Sequence, residues 1–206
     1  YDAFLALVRA NMRHAGALRI DHVMSLCRLY WIPRGGDDGA YVNYPLDDLL
    51  SLLCLESVRA RCLVIGEDLG TVPEGFRDEL RHRGILGTMV VQFERSSDGG
   101  LVPPQHYSYE SLCQQSTHDM PTFAAHWKGL DIDDRADLGL IPKKNLPREK
   151  AHRETMRQNL VSFLRGKKLL KSGRPKTDEV LEAVLRFLAR SPAETVLVTL
   201  EDLWGE

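Results

Sequence analysis

Apolar residues in this chain alternate between two spacings, and each change of spacing marks a predicted element. Phe4, Leu5, Leu7, Val8 and Met12 fall on one face of a first helix that ends near Gly16. Leu18-Arg19-Ile20 is a short strand. Val23–Trp31 is apolar enough to pack as a helix, which Pro33 stops, and Arg34–Gly39 is a turn-rich loop. Pro45 then opens a helix with Asp47 and Asp48 in its first turn. Leu46, Leu49, Leu50 and Leu53 give that helix a buried stripe, and Arg59 and Arg61 close it against the dipole. Cys62–Ile65 is a strand, Pro73–His82 a helix ended by Gly84, and Thr88–Phe93 a β-branched and aromatic strand before the loop Ser96–Gly100. Leu112–Ser116 is a further strand, Pro121–Trp127 begins a helix, and Pro147–Leu164 is long, charged and helical. Thr177 caps a helix whose Val180, Leu181, Val184, Leu185 and Leu188 share a face, Ser191-Pro192 ends it, and Val196–Leu200 is a last strand.

Five strands separated by helices predict a parallel sheet in an α/β protein. Ligand groups in such folds gather at the carboxyl ends of the strands. No G-x-G-x-x-G or Walker-type loop is present, which disfavours a nucleotide fold. Five strands do not close an eight-stranded barrel, so a barrel reading places three strands outside this chain.

The 206 residues are enough for one substantial core, and 43% hydrophobic with 27% charged residues is ordinary for a globular domain. A net charge of −2 gives no general attraction to nucleic acid or to an anionic membrane surface. No apolar run approaches the roughly 18 residues of a membrane span, and no signal peptide opens the chain. Cys27, Cys54, Cys62 and Cys113 lack a C-x-x-C spacing and read as free thiols of a reducing, cytoplasmic setting. The chain begins without methionine, in a helical pattern, and ends straight after a strand-like run, so both ends read as cut from a longer protein.

Three segments carry the chemistry: Ala17–His22 (ALRIDH), Leu63–Glu74 (LVIGEDLGTVPE) and Ser116–Phe123 (STHDMPTF). Each delivers an acid, Asp21, Glu67 or Asp119, just beyond a predicted strand. One acid after a strand is usually a helix cap or a loop residue. Three from separate strands suit the developing positive charge of glycosidic bond cleavage.

With Arg19-Ile20-Asp21-His22, Gly66-Glu67-Asp68-Leu69-Gly70 and Thr117-His118-Asp119 in that order, the chain resembles the 4-α-glucanotransferases, the amylomaltase or disproportionating-enzyme family of the α-amylase clan. Tyr30-Trp31-Ile32-Pro33, Tyr44-Pro45 and Gln92-Phe93 add to the likeness, which is densest over the first 130 residues and loose over Asp131–Lys176. The resemblance implies that residues 1–206 are one partial catalytic domain, strands four to eight of a (β/α)8 TIM barrel whose first three strands lie elsewhere.

The resemblance also implies roles. In a retaining mechanism Asp21 is the nucleophile and Glu67 the general acid and then base, with the two carboxyl groups about 5–5.5 Å apart. Asp119 stabilises the oxocarbenium-like transition state, and Arg19 keeps Asp21 ionised and oriented. His22 and His118 donate to sugar hydroxyls, Asp68 accepts from one, and Phe93 stacks on a sugar face. A core aromatic is the equal alternative for Phe93. The substrates are α-1,4-glucan donors and acceptors, with neither cofactor nor metal.

Two other readings compete. A hydrolase of the same clan shares the motifs and differs in letting water take the glycosyl group. A binding module would rest on the run Arg165–Lys176, with its six basic residues, but that run lacks interleaved aromatics and reads as a solvated face. A fragment lacking three strands would leave open sheet edges, so residues 1–206 alone are expected to be inactive and to self-associate.

Overall fold

The computed structural model describes residues 1–94, 101–171 and 173–205, with only the backbone described at Pro104. The predicted loop Ser96–Gly100 and Ser172 of the basic run lie outside the described residues. Two compact units form: Tyr1–Thr88 with Glu110–Leu112, and Met89–Tyr109 with Cys113–Glu206.

In the first unit, helix α1 (Asp2–Met12) leads to strand β1 (Ala17–Ile20), and helix α2 (Leu46–Ala60) leads to strand β4 (Leu63–Gly66). The two strands pair in parallel, Ala17 opposite Leu63 through Ile20 opposite Gly66, and Ile65 bridges in parallel to Leu86. The α2 stripe is as the spacing predicts, with Leu50 and Leu53 fully buried among Val8, Met12, Val23, Met24, Val64 and Phe76. On α1 the buried face is narrower than predicted. Val8 and Met12 are buried, but Leu7 is exposed.

Helices α1 and α2 are tied together by charge. Both carboxylate oxygens of Glu56 take hydrogen bonds from Arg9, at 2.7 and 2.8 Å, and Arg59 adds a third at 2.9 Å. Arg9 foremost holds the Glu56 carboxyl far below its usual range, at about 2, against the opposing effect of burial.

The Val23–Trp31 stretch corrects the sequence reading. Only Val23–Leu26 is helical, as one 3-10 turn. Arg28–Trp31 is strand β2, antiparallel to strand β3 (Ala40–Asn43), which the apolar pattern did not reveal. The residues there are largely exposed, so hairpin pairing rather than burial sets the conformation. Tyr30 meets Tyr41 edge to face at 5.2 Å, and Arg28 lies 4.3 Å over the Tyr41 ring. Trp31 Nε1 donates to the Tyr44 hydroxyl at 3.0 Å, which joins two motifs that the family resemblance had picked out separately.

Helix α3 (Phe76–His82) starts later than its proline suggested. After it, the chain passes between the units inside strands β5 (Gly87–Val90) and β6 (Ser111–Gln114). The N–H of Gly87 donates to the Glu110 carbonyl and that of Val91 to the Gln114 carbonyl. Both strands thus advance by four residues together, a parallel register. Strand β7 (Thr195–Leu197) completes the sheet order β5-β6-β7.

The second unit packs helices α4 (Phe123–Lys128), α5 (Leu130–Asp137), α6 (Leu146–Gly166) and α7 (Thr177–Leu188). Its core holds Trp127, Leu164, Val180, Val184, Phe187 and Leu188. Phe123 stacks on Trp127 at 5.7 Å, and Phe163 meets Phe187 edge on at 5.3 Å. The cap of α7 is Lys176 rather than Thr177, because the Glu179 carboxylate reaches back to accept from the Lys176 N–H at 2.8 Å. The last strand is shorter than predicted. Leu200 begins a final helix α8 (Leu200–Trp204), whose buried Asp202 needs the position that helix gives it.

All four cysteines are free thiols, and burial raises the pKa values of Cys54, Cys62 and Cys113. Among the described residues, no helix is long and apolar enough to cross a membrane.

Candidate active site

In the first unit the ends of β1 and β4 meet at a tight backbone junction. The N–H of Glu67 donates to the Ile20 carbonyl, and the N–H of Val23 donates to the Glu67 carbonyl, both at 2.9 Å. The parallel pairing therefore continues one step past each strand, and that step delivers Asp21 and Glu67 side by side in the fold. Between them His22 takes a left-handed conformation, φ 47° and ψ 58°. This backbone form is uncommon for residues other than glycine, asparagine and aspartate, although histidine tolerates it better than most.

The turn at His22 aims its backbone N–H at Oε2 of Glu67, 2.7 Å away. Oε1 of Glu67 accepts from the Leu69 N–H at 2.8 Å. Glu67 is thus fixed by two backbone donors and is only 9% exposed. Each carboxyl oxygen keeps a second lone-pair position, where a proton can sit without breaking these bonds. Asp21 is more open, with a side chain 55% exposed, and Arg19 Nη1 lies 2.9 Å from its Oδ1. The Arg19 guanidinium is mostly covered, so the pair is oriented although solvent screens part of its attraction.

Gly66, the last residue of β4, makes this junction possible. A β-carbon there would come within 2.9 Å of Cγ1 of the fully buried Val23. A larger residue there would press on Val23 and on the 3-10 turn after His22.

Asp68 lies on the turn after Glu67. It is 5% exposed, and both carboxylate oxygens are engaged inside the protein. Oδ1 accepts from the Thr88 N–H, and Oδ2 from Arg77 Nε, each at 2.8 Å. Arg77 Nη2 also holds the Asp68 carbonyl at 2.8 Å, and the Thr88 hydroxyl donates to the Gly66 carbonyl at 3.1 Å. Asp68 therefore locks the turn that carries Glu67. Its carboxylate thus serves two donors of the protein, one on each oxygen. Arg77 and Thr88 were not picked out from the sequence, and nothing in their spacing marks them as partners of Asp68.

The second unit presents His118 and Asp119 beyond the end of β6. Both are exposed, their side chains 58% and 76% accessible, with His118 Nε2 3.3 Å from Asp119 Oδ1. The Thr117 hydroxyl accepts from the Asp119 N–H at 3.3 Å. Phe93 follows β5 and is 56% exposed, so it is a surface ring rather than a core one. Its neighbour Gln92 donates through Nε2 to Gln115 Oε1 at 3.1 Å.

The sequence profile of the 4-alpha-glucanotransferases matches residues 1–206, the whole chain. This chain belongs to the 4-alpha-glucanotransferase family. The 4-alpha-glucanotransferase of Mycobacterium tuberculosis strain H37Rv is 38% identical over 216 residues, which cover all of this chain and 29% of that protein. The Haemophilus influenzae 4-alpha-glucanotransferase is 39% identical over 166 residues, covering 80% of this chain and 24% of the relative. The first of these relatives is thus more than three times as long as the matched part. Among solved structures, the amylomaltase of Corynebacterium glutamicum superposes with a TM-score of 0.88 at 30% identity, over 96% of this chain and 30% of that one. The amylomaltase of Streptococcus agalactiae in complex with acarbose gives 0.68 at 17% identity, over 98% and 35%, a likeness of fold alone. The α/β fold is therefore that of a part of an amylomaltase-like 4-alpha-glucanotransferase.

Proposed function

We propose that this chain is the catalytic part of an enzyme that moves α-1,4-glucan segments between chains by two successive displacements at one anomeric carbon. The observation that carries this reading is the junction of β1 and β4, where one backbone turn holds an open, arginine-paired Asp21 beside a buried Glu67. An attacking carboxylate needs access and an ionised state, and a proton donor needs a fixed position out of bulk water.

In the first displacement an Asp21 oxygen bonds to the anomeric carbon as the glycosidic bond breaks, and the departing oxygen takes the proton of Glu67. In the second, the 4-hydroxyl of the acceptor gives its proton to Glu67 and bonds to the anomeric carbon, which releases Asp21. Two inversions give net retention. Asp119 is assigned to stabilising the cationic character that develops on the sugar ring, and His22 and His118 to donating to sugar hydroxyls. Exposed Phe93 suits stacking on a glucose face of the acceptor. Asp68 is assigned to holding the Glu67 turn.

On this reading both units are parts of one catalytic barrel domain of a cytoplasmic protein. Strands β1, β4, β5, β6 and β7 are then strands four to eight of the barrel. Among the described strands, β1 pairs only with β4 and β7 lies at the end of its sheet, so each has an edge for a further strand. On their own, residues 1–206 are expected to cover those edges by self-association and to transfer little glucan.

The test is incubation of the enzyme containing this chain with maltotriose, with products separated by length. Glucose together with a ladder of longer maltooligosaccharides is expected. Glucose and maltose without any longer product would show that water intercepts the glycosyl-enzyme, the hydrolase alternative.

A further inference from the structure

We propose that Asp202 is a positioning residue for the His118–Asp119 pair; this rests on the reading of Asp119 as a catalytic residue. His118 and Asp119 stand on the segment Ser116–Phe123, which joins the end of β6 to the start of α4. Neither is held by burial. The bonds inside the segment, Asp119 N–H to the Thr117 hydroxyl and Met120 N–H to the Thr117 carbonyl at 3.1 Å, shape its turn but do not place it in the fold. Its two ends, Ser116 and Phe123, are buried, at 3% and 4% exposed.

One carboxylate grips both ends. Asp202 Oδ1 accepts from the Phe123 N–H at 2.6 Å, and Oδ2 accepts from the Ser116 hydroxyl at 3.3 Å. Phe123 is the first residue of α4, so its N–H has no partner within the helix. The cap residue Thr122 serves the Ala125 N–H instead, which leaves the Phe123 N–H for Asp202. Asp202 comes from α8, some 80 positions along the chain, and is itself 2% exposed. A buried carboxylate is costly unless it is hydrogen-bonded, and here its donors are the two anchors of the loop that carries Asp119. Catalytic geometry tolerates little drift: a displacement of about 1 Å can cost on the order of 100-fold in rate.

The experiment compares Asp202→Ala, Asp202→Asn and Ser116→Ala in the enzyme containing this chain, with Asp119→Asn alone and combined with Asp202→Ala. For Asp202→Ala we expect kcat for maltotriose disproportionation to fall on the order of 100-fold, with KM within a few-fold. Asparagine accepts from the Phe123 N–H and donates to the Ser116 oxygen, so Asp202→Asn should recover most of that loss. If both residues act through one loop, the double variant should be hardly slower than Asp119→Asn alone. Near-normal kcat in Asp202→Ala overturns the proposal, and so does a loss that multiplies fully with that of Asp119→Asn. If Asp202→Ala does not fold, Ser116→Ala decides: a several-fold lower kcat at constant KM is expected, and an unchanged kcat overturns it. Near-normal turnover in Asp119→Asn would instead overturn the catalytic reading of Asp119.

Discussion

The backbone N–H of His22 donates to Oε2 of Glu67 at 2.7 Å, so the residue that follows Asp21 in sequence fixes the carboxyl group of Glu67. The two acids of the proposed mechanism are therefore linked through one peptide unit. Their relative position is set in part by this backbone geometry. Removing either carboxylate should leave that frame standing. Asp21→Asn is expected to fold normally and to lose glucan transfer by several orders of magnitude, because no other covalent route remains. Glu67→Gln should be severely slow on natural glucans and much less impaired, in its first step, on a maltosyl fluoride whose leaving group needs no proton. Rates on both substrates and a thermal melt check this. Equal losses of Glu67→Gln on both would remove Glu67 as the proton donor.

The same hydrogen bond requires the left-handed turn at His22, and that makes a prediction about stability separate from the chemistry. Asparagine and glycine adopt such a conformation readily, and β-branched residues resist it. His22→Asn and His22→Gly should match the parent in denaturant midpoint, while His22→Val should lose about 1–2 kcal/mol relative to His22→Asn. A valine variant as stable as the asparagine one would mean that the turn is not held in this form.

The sequence showed the strands β1, β4, β5, β6 and β7 and the acids beyond three of them because strand ends and charged residues are local signals. It showed the α2 stripe and the α7 face for the same reason, since burial at Leu50, Leu53, Val184 and Leu188 follows helical spacing. It did not show the β2–β3 hairpin. Leu29, Tyr30, Trp31 and Tyr41 are apolar yet exposed, so their pattern reports no core, and the hairpin depends on cross-strand pairs that no single segment reveals. The structural partners of Asp68 and Asp202 were not visible for a related reason. Those partners, Thr88 and Phe123, lie 20 and 79 positions away, and a carboxylate that holds a turn looks in sequence like one that holds a ligand.

Gly66 offers a test of the junction by volume. Its absent β-carbon leaves the space that Val23 fills. Gly66→Ala should cost about 1–3 kcal/mol by overpacking and should lower kcat, because Val23 can retreat only by shifting the turn that carries His22. Combining it with Val23→Ala makes room again, so the double variant should recover kcat and be less destabilised than the sum of the two. Denaturant midpoints and steady-state rates of the four proteins decide it. Strict additivity in both would show that the two residues do not share that space.

Glu56 makes the last prediction, for acid stability. Arg9 and Arg59 hold its carboxyl at about 2 in the folded chain, against an ordinary value of 4.5. A group whose folded pKa is depressed contributes stability above its unfolded pKa, because there the unfolded state has no proton to gain. That contribution is complete above about pH 4.5 and is lost as the pH falls toward about 2. The two arginines are 53% and 58% exposed, so salt should weaken the effect. Thermal melts between pH 6 and pH 2.5 at low ionic strength should show the parent losing stability more steeply than Glu56→Gln, with the difference shrinking in salt. Parallel curves for the two proteins across that range would mean that the tie between α1 and α2 does not depend on the charge of Glu56.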